Sequence, residues 1–165
     1  MQGTKYGKYF IKYDPSRWPD ERRSGMVVRL EDSIVKGSNF YVVHWYFPDR
    51  LPKAAHPPHI HKHAELLMLI GTDPDKPMDL GAEVELHMGP ELEKHVITET
   101  TAVYIPPNFI HGPWKIVKTF RPWLIIQILQ GPAHTEKLCP EVLPKEMKDE
   151  VDWAFWRQIE EGFDE

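Results

Sequence analysis

At 165 residues the chain has the size of one domain and can bury a substantial core without staples, and its 41% hydrophobic, 12% aromatic and 27% charged composition excludes a disordered or fibrous polypeptide. A net charge of −5 argues against a general nucleic-acid binder, which needs clustered positive charge to hold phosphates. Sixteen prolines favour short strands joined by turns over long helices, and the one cysteine, Cys139, excludes an internal disulfide and fits a reducing compartment.

Residues 1–25 read as an N-terminal arm. Lys5, Lys8, Lys12, Arg17, Arg22 and Arg23 outnumber Asp14, Asp20 and Glu21 there, interleaved with Tyr6, Tyr9, Phe10, Tyr13 and Trp18. Basic residues among aromatics can stack on single-stranded nucleic acid. An arm packed on a barrel or on a second subunit has the same composition, and packing is the expectation. The arm lacks a secretory apolar core, and the longest apolar runs, residues 66–70 and 123–126, are far too short to span a bilayer, so a soluble cytoplasmic protein is expected.

Short apolar or β-branched runs then recur between turn residues, predicting strands over 26–30, 40–47, 61–70, 82–87, 95–98, 102–105, 112–117 and 123–129. Eight antiparallel strands suit a jelly roll. The segment 71–81 holds Asp73, Asp75 and Asp79 but fails as a calcium loop, because Pro77 occupies the third ligand position, and it reads as a solvated loop. Residues 136–165 read as a helical extension. Val151, Phe155, Ile159 and Phe163 recur every four residues, and Trp153 and Trp156 widen the apolar stripe of the expected amphipathic helix. No useful internal repeat is visible. The expected organisation is therefore arm (1–25), barrel (26–135) and extension (136–165).

The informative segment is Pro57-Pro58-His59-Ile60-His61-Lys62-His63-Ala64-Glu65. Alternation along a strand would bring His59, His61, His63 and Glu65 to one side of a sheet. If that side is the barrel interior, leaving such groups unpaired costs roughly 1–3 kcal/mol each, which a metal ion removes. Downstream, a strand ends at Pro106 and Pro107, turns at Asn108, and gives way to a new strand opened by His111.

These two elements resemble the paired motifs of the cupin superfamily. His59, His61 and Glu65 match the first motif, His-x-His followed three or four residues later by Glu. Pro106, Asn108 and His111 match the second, Pro-x-Gly-x-x-His, with asparagine as the usual substitute for glycine at positive φ. The glycines often found six residues before each motif are Lys53 and Thr100, Gly71 falls one residue early, and Lys115 stands where asparagine often follows the second histidine. None of these departures removes a ligand. The resemblance is close over 53–115 and implies an all-β, cupin-type jelly-roll barrel whose metal ligands are His59, His61, Glu65 and His111. His63 could orient a ligand, line the pocket, or replace His59 in a shifted register. Tyr104, Trp114, Lys115 and Trp45 are further pocket candidates.

Three neutral imidazoles and one carboxylate around a divalent ion leave a charge of about +1, suited to an anionic or carbonyl ligand. Iron, zinc, nickel, manganese and cobalt all accept such donors. The resemblance implies a metal-dependent enzyme on a small organic acid or carbonyl compound, of dioxygenase, lyase, decarboxylase or isomerase type. A non-catalytic binding or sensing module is the alternative, and a metal-free sugar-nucleotide epimerase is disfavoured by the intact ligand set. Apolar surface on the arm and the extension suits a homodimer. No nucleic-acid or membrane partner is expected.

Overall fold

The computed structural model describes residues 4–14, 25–52 and 55–163. Ten strands follow one another: β1 (Met26–Leu30), β2 (Phe40–Tyr46), β3 (His59–Ile60), β4 (Glu65–Gly71), β5 (Asp79–Met88), β6 (Glu93–Glu99), β7 (Thr101–Ile105), β8 (His111–Thr119), β9 (Trp123–Leu129) and β10 (Lys137–Leu138). They form two five-stranded sheets, ordered β1-β2-β9-β4-β7 and β10-β3-β8-β5-β6, and every strand pairing is antiparallel. This is the jelly roll, or double-stranded β-helix, that the strand pattern leads one to expect.

Alternation sets the core. Along β4, Glu65, Leu67 and Leu69 are buried while Leu66, Met68 and Ile70 are only half-buried, and the same period runs through Trp123, Ile125 and Leu129 of β9. Leu67, Leu69, Leu80, Val84, Leu86, Ile105, Trp123 and Ile125 belong to one buried cluster. Trp123 is fully buried within it and stacks on Tyr46 with ring centroids 4.6 Å apart. Truncating so large a buried ring removes its burial and leaves a cavity, so Trp123→Ala should cost about 3–5 kcal/mol. Urea unfolding checks this, and a loss under about 1 kcal/mol would mean that the barrel end collapses around the gap.

Two sequence expectations need correction. The expected strand over 61–70 is broken. Residues 59–60 pair with β8 and β10 in one sheet, residues 65–71 pair with β7 and β9 in the other, and 61–64 carry the chain across the barrel end. The amide of Asn108 donates to the His61 carbonyl at 2.8 Å and holds this crossing in place.

The long amphipathic helix is also absent among the described residues. The described extension has two four-residue helices, α1 (Lys145–Lys148) and α2 (Trp153–Trp156), and α2 runs into a 3₁₀ turn, Arg157–Ile159. Backbone pairing at both ends forbids one continuous helix: Val151 bridges Ala55, and Glu161 bridges Glu136. Asp152 then caps α2, its Oδ1 accepting from the Phe155 amide at 3.1 Å. The extension also supplies β10, so it is part of a barrel sheet.

Of the arm, residues 4–14 are described and form a 3₁₀ turn at Gly7–Tyr9. Tyr13 packs against Met26, Phe40, Val42 and Leu129, whereas Tyr6, Tyr9 and Phe10 are exposed. Arg17, Trp18, Arg22, Arg23 and Lys53 lie outside the described residues. The expected loop 71–81 is shorter, since Gly71 ends β4 and Asp79 opens β5; within it Asp73 accepts from the Asp75 amide at 3.0 Å, and at the start of β5 Asp79 pairs with Arg121. No described helix is long and apolar enough to cross a membrane.

Candidate metal centre

The chain crossing, not strand alternation, assembles the site. His59 sits on β3 directly opposite His111, the first residue of β8, while His61 lies on the crossing and Glu65 opens β4 in the other sheet. Their exposures are 4%, 2%, 2% and 2%, so four polar side chains meet at a nearly dry barrel end. The Asn108 turn before His111 has φ 58°, the left-handed conformation its glycine-like role requires. Gly112 has φ 97°, and a Cβ there would lie 2.6 Å from the Pro57 carbonyl oxygen, so no other residue fits between β3 and β8.

Each imidazole is oriented by a backbone carbonyl. His59 Nδ1 donates to the Pro57 oxygen at 2.8 Å, His111 Nδ1 to the Phe109 oxygen at 3.0 Å, and His61 Nδ1 to the Thr135 oxygen. A carbonyl can only accept, so each Nδ1 carries a proton and a neutral ring keeps its lone pair on Nε2. One ring nitrogen from each of His59, His61 and His111 falls within 4.8 Å of the others. Glu65 Oε1 accepts from Gln127 Nε2 at 2.6 Å, which leaves Oε2 aimed at His111 Nε2 (3.0 Å) and His61 Nε2 (3.6 Å). His61 Nε2, His111 Nε2 and Glu65 Oε2 are buried and have no hydrogen-bond partner among the described residues.

A divalent cation fits these orphaned atoms. Donors about 2.1 Å from one ion stand roughly 3.0–3.4 Å apart, close to the 3.0 and 3.6 Å that separate Glu65 Oε2 from His111 Nε2 and His61 Nε2, and carbonyl-oriented histidines are the usual support of metal-ligating imidazoles. A single proton on His111 would satisfy Glu65 but leave the His61 lone pair unpartnered. The electrostatics agree. Burial pushes His59 well below its ordinary pKa and His61 down to about 4, keeping both rings neutral. Burial also opposes charge on His111, but the Glu65 carboxylate outweighs it and raises that pKa, while Glu65 itself is pulled down to about 2, its burial outweighed by His111 and His61.

A second polar layer lies behind the first. Glu136, 1% exposed, places Oε1 at 3.2 Å from His56 Nε2 and Oε2 at 3.5 Å from His134 Nε2, and His134 Nδ1 contacts Glu161 at 2.7 Å. Burial opposes charge on His134, yet the two carboxylates raise its pKa to about 9. Two further close groups, His56–His59–Glu136 and His61–His134–Glu136, therefore share histidines with the inner set. They do not call for an ion of their own, because each Glu136 oxygen already faces a histidine.

The other sequence candidates fall elsewhere. His63 lies on the crossing, where the strand parity argued for it does not exist, and its ring packs so tightly on Gly131 that a Cβ there would come within 2.0 Å. Tyr104 is 58% exposed and has the opposite parity to Ile105, the residue facing Glu65. Trp45 stacks on Phe47, and its neighbours Tyr46 and Trp123 face inward instead. Trp114 packs against the core cluster beside Trp123, and Lys115 reaches out to Glu150 at 2.7 Å. His56, Gln127, His134, Thr135, Glu136, Trp156 and Glu161 escaped sequence reasoning. Only Gln127 carried a local signal, as a polar residue at the inward parity of Trp123, Ile125 and Leu129.

No protein-family model and no curated protein matches the chain. Among solved structures, an oxalate decarboxylase is similar over 84% of this chain and 36% of its own, with 10% identity and a TM-score of 0.48. The DMSP lyase of Ruegeria pomeroyi is similar over 62% of this chain and 44% of its own, with 16% identity and a TM-score of 0.41. A protein with a double-stranded β-helix domain from Klebsiella pneumoniae is similar over 84% of this chain and 98% of its own, with 15% identity and a TM-score of 0.49. The chain spans less than half the length of the first two. The double-stranded β-helix is read from the chain's own strand order, β1-β2-β9-β4-β7 in one sheet and β10-β3-β8-β5-β6 in the other.

Proposed function

We propose that the chain is a metal-dependent enzyme of cupin type that holds one divalent transition metal through His59, His61, Glu65 and His111 and acts on a small organic acid or carbonyl compound. The observation that carries this reading is the set of three buried, partnerless atoms, His61 Nε2, His111 Nε2 and Glu65 Oε2, aimed at one another in a dry pocket. Iron, zinc, nickel, manganese or cobalt suits such donors, and the bound ion would supply Lewis-acid or, for iron, oxygen chemistry. The chain's own part is orientation and charge. Carbonyls of Pro57, Phe109 and Thr135 fix the three rings, Gln127 fixes Glu65, and burial keeps His59 and His61 uncharged. With one ligand carboxylate against a divalent ion, the centre carries about +1, which suits an anionic or polarisable carbonyl substrate.

Metal analysis of protein purified without chelators tests the first half, with about one equivalent of a transition metal expected. Less than about half an equivalent of any would overturn it. A panel of carboxylates and diketones, assayed with ferrous iron in air and with other metals anaerobically, tests the second. Oxygen consumption identifies a dioxygenase, anaerobic turnover a lyase, decarboxylase or isomerase, and saturable binding without product a sensing module. The exposed Tyr6, Tyr9 and Phe10 supply apolar surface for a homodimer, which light scattering checks.

A further inference from the structure

The chain has a three-ring stack that runs from the metal centre to the extension. His56 lies face to face with His59, centroids 4.2 Å apart and planes within 6°, and on its other face with Trp156, at 3.9 Å and within 4°. The middle ring is also held by its edge, because His56 Nε2 meets the buried Glu136 at 3.2 Å. Trp156 in turn belongs to α2, which Asp152 caps and which is anchored on one side by the Val151–Ala55 bridge and on the other by the Glu161–Glu136 bridge.

From this we infer that Trp156 is a positioning residue for the metal ligand His59, acting through the ring of His56 clamped between them. The inference rests on the metal reading above and adds to it the segment that sets the ligand's plane. His59 has a single carbonyl contact, to Pro57, which fixes one edge of the ring but leaves it free to swing about that bond. The parallel face of His56 removes that freedom on one side. The His111 ring, tilted by 60° at 4.1 Å, limits it on the other. His56 would itself pivot about its one contact with Glu136 were Trp156 not lying flat against it. Stacked rings of this kind attract one another beyond the area they bury. That attraction, acting to keep His59 in line, shows in metal affinity before it shows in folding.

The test uses the full chain loaded with cobalt(II), whose visible absorption reports the ligand geometry directly. Trp156→Ala should shift the cobalt bands and weaken cobalt binding by ~2–10-fold, the scale of one lost ring stack. Trp156→Phe keeps a flat ring against His56 and should restore the bands and most of the affinity. Trp153→Ala is the control for loss of a tryptophan from α2, since Trp153 Nε1 bonds the Lys148 carbonyl and takes no part in the stack; its cobalt spectrum should match the parent. Cobalt binding by the parent with an unchanged spectrum and affinity in Trp156→Ala overturns the positioning role alone. Equal losses in Trp156→Ala and Trp153→Ala overturn it too, because they would trace to α2 as a whole. Absence of cobalt binding by the parent chain overturns the metal reading and, with it, this role.

Discussion

Replacing His111 with alanine should abolish metal binding and leave the barrel folded. His111 is the residue through which both halves of the site communicate: it faces His59 across the β3–β8 pairing and stands 3.0 Å from Glu65 on the other sheet. Its loss removes one donor and frees the Glu65 carboxylate from the contact that holds its pKa down. Losing an outer group that merely orients a ligand already costs 10–100-fold in affinity, so deletion of a ligand should cost at least ~100-fold. The fold has other supports. The buried cluster around Trp123 does not include His111, and the freed carboxylate can take up a proton, which limits the penalty to roughly 1–3 kcal/mol. Circular dichroism should therefore keep its strand signature while metal content falls to background. Full metal content in the variant would remove His111 from the ligand set, and global unfolding would make the ion a structural one.

Legibility followed the range over which each feature is determined. β1 and β9 lie where alternation placed them, and Asn108 takes the positive φ that its position in the second motif required. Both are local matters of side-chain period and turn chemistry. The four candidate ligands do meet, but not for the reason that alternation gave. Alternation on one strand also demanded His63, but the chain leaves one sheet after Ile60 and joins the other at Glu65, so convergence comes from the crossing and His63 is turned onto Gly131. What orients the candidate ligands could not be read locally, because Thr135 stands 74 residues from the His61 it holds, and Gln127 stands 62 from Glu65. The extension misled for a related reason. Its four-residue period is real, yet backbone bridges at Val151 and Glu161 outweigh the intrinsic preference of so short a segment for helix.

Below the pKa of His111 the metal affinity should fall about tenfold for each pH unit, with one proton displaced per ion bound. Composition alone would set three histidines competing with protons near an ordinary pKa of about 6.5. The structure divides them. His61, at about 4, and His59, pushed well below its usual value, are neutral through the physiological range and have no proton to lose there. Only His111, raised by Glu65, binds a proton that the ion must replace. The sign of the stability linkage differs between the two kinds of ring. In protein stripped of metal, the raised His111 contributes stability that is fully present below about pH 6.5 and is lost as pH rises through its higher folded value. His61 works in the opposite sense, costing stability as pH falls from about 6.5 to about 4, because the unfolded chain takes the proton that the buried ring refuses. Metal should therefore raise the melting temperature by an increment that grows from pH 6 to pH 8. Proton release measured with an indicator in weak buffer at pH 6 should come to about one per ion. Release approaching three would mean that burial does not keep His59 and His61 neutral, and occupancy unchanged at pH 5 would remove His111 from the ligand set.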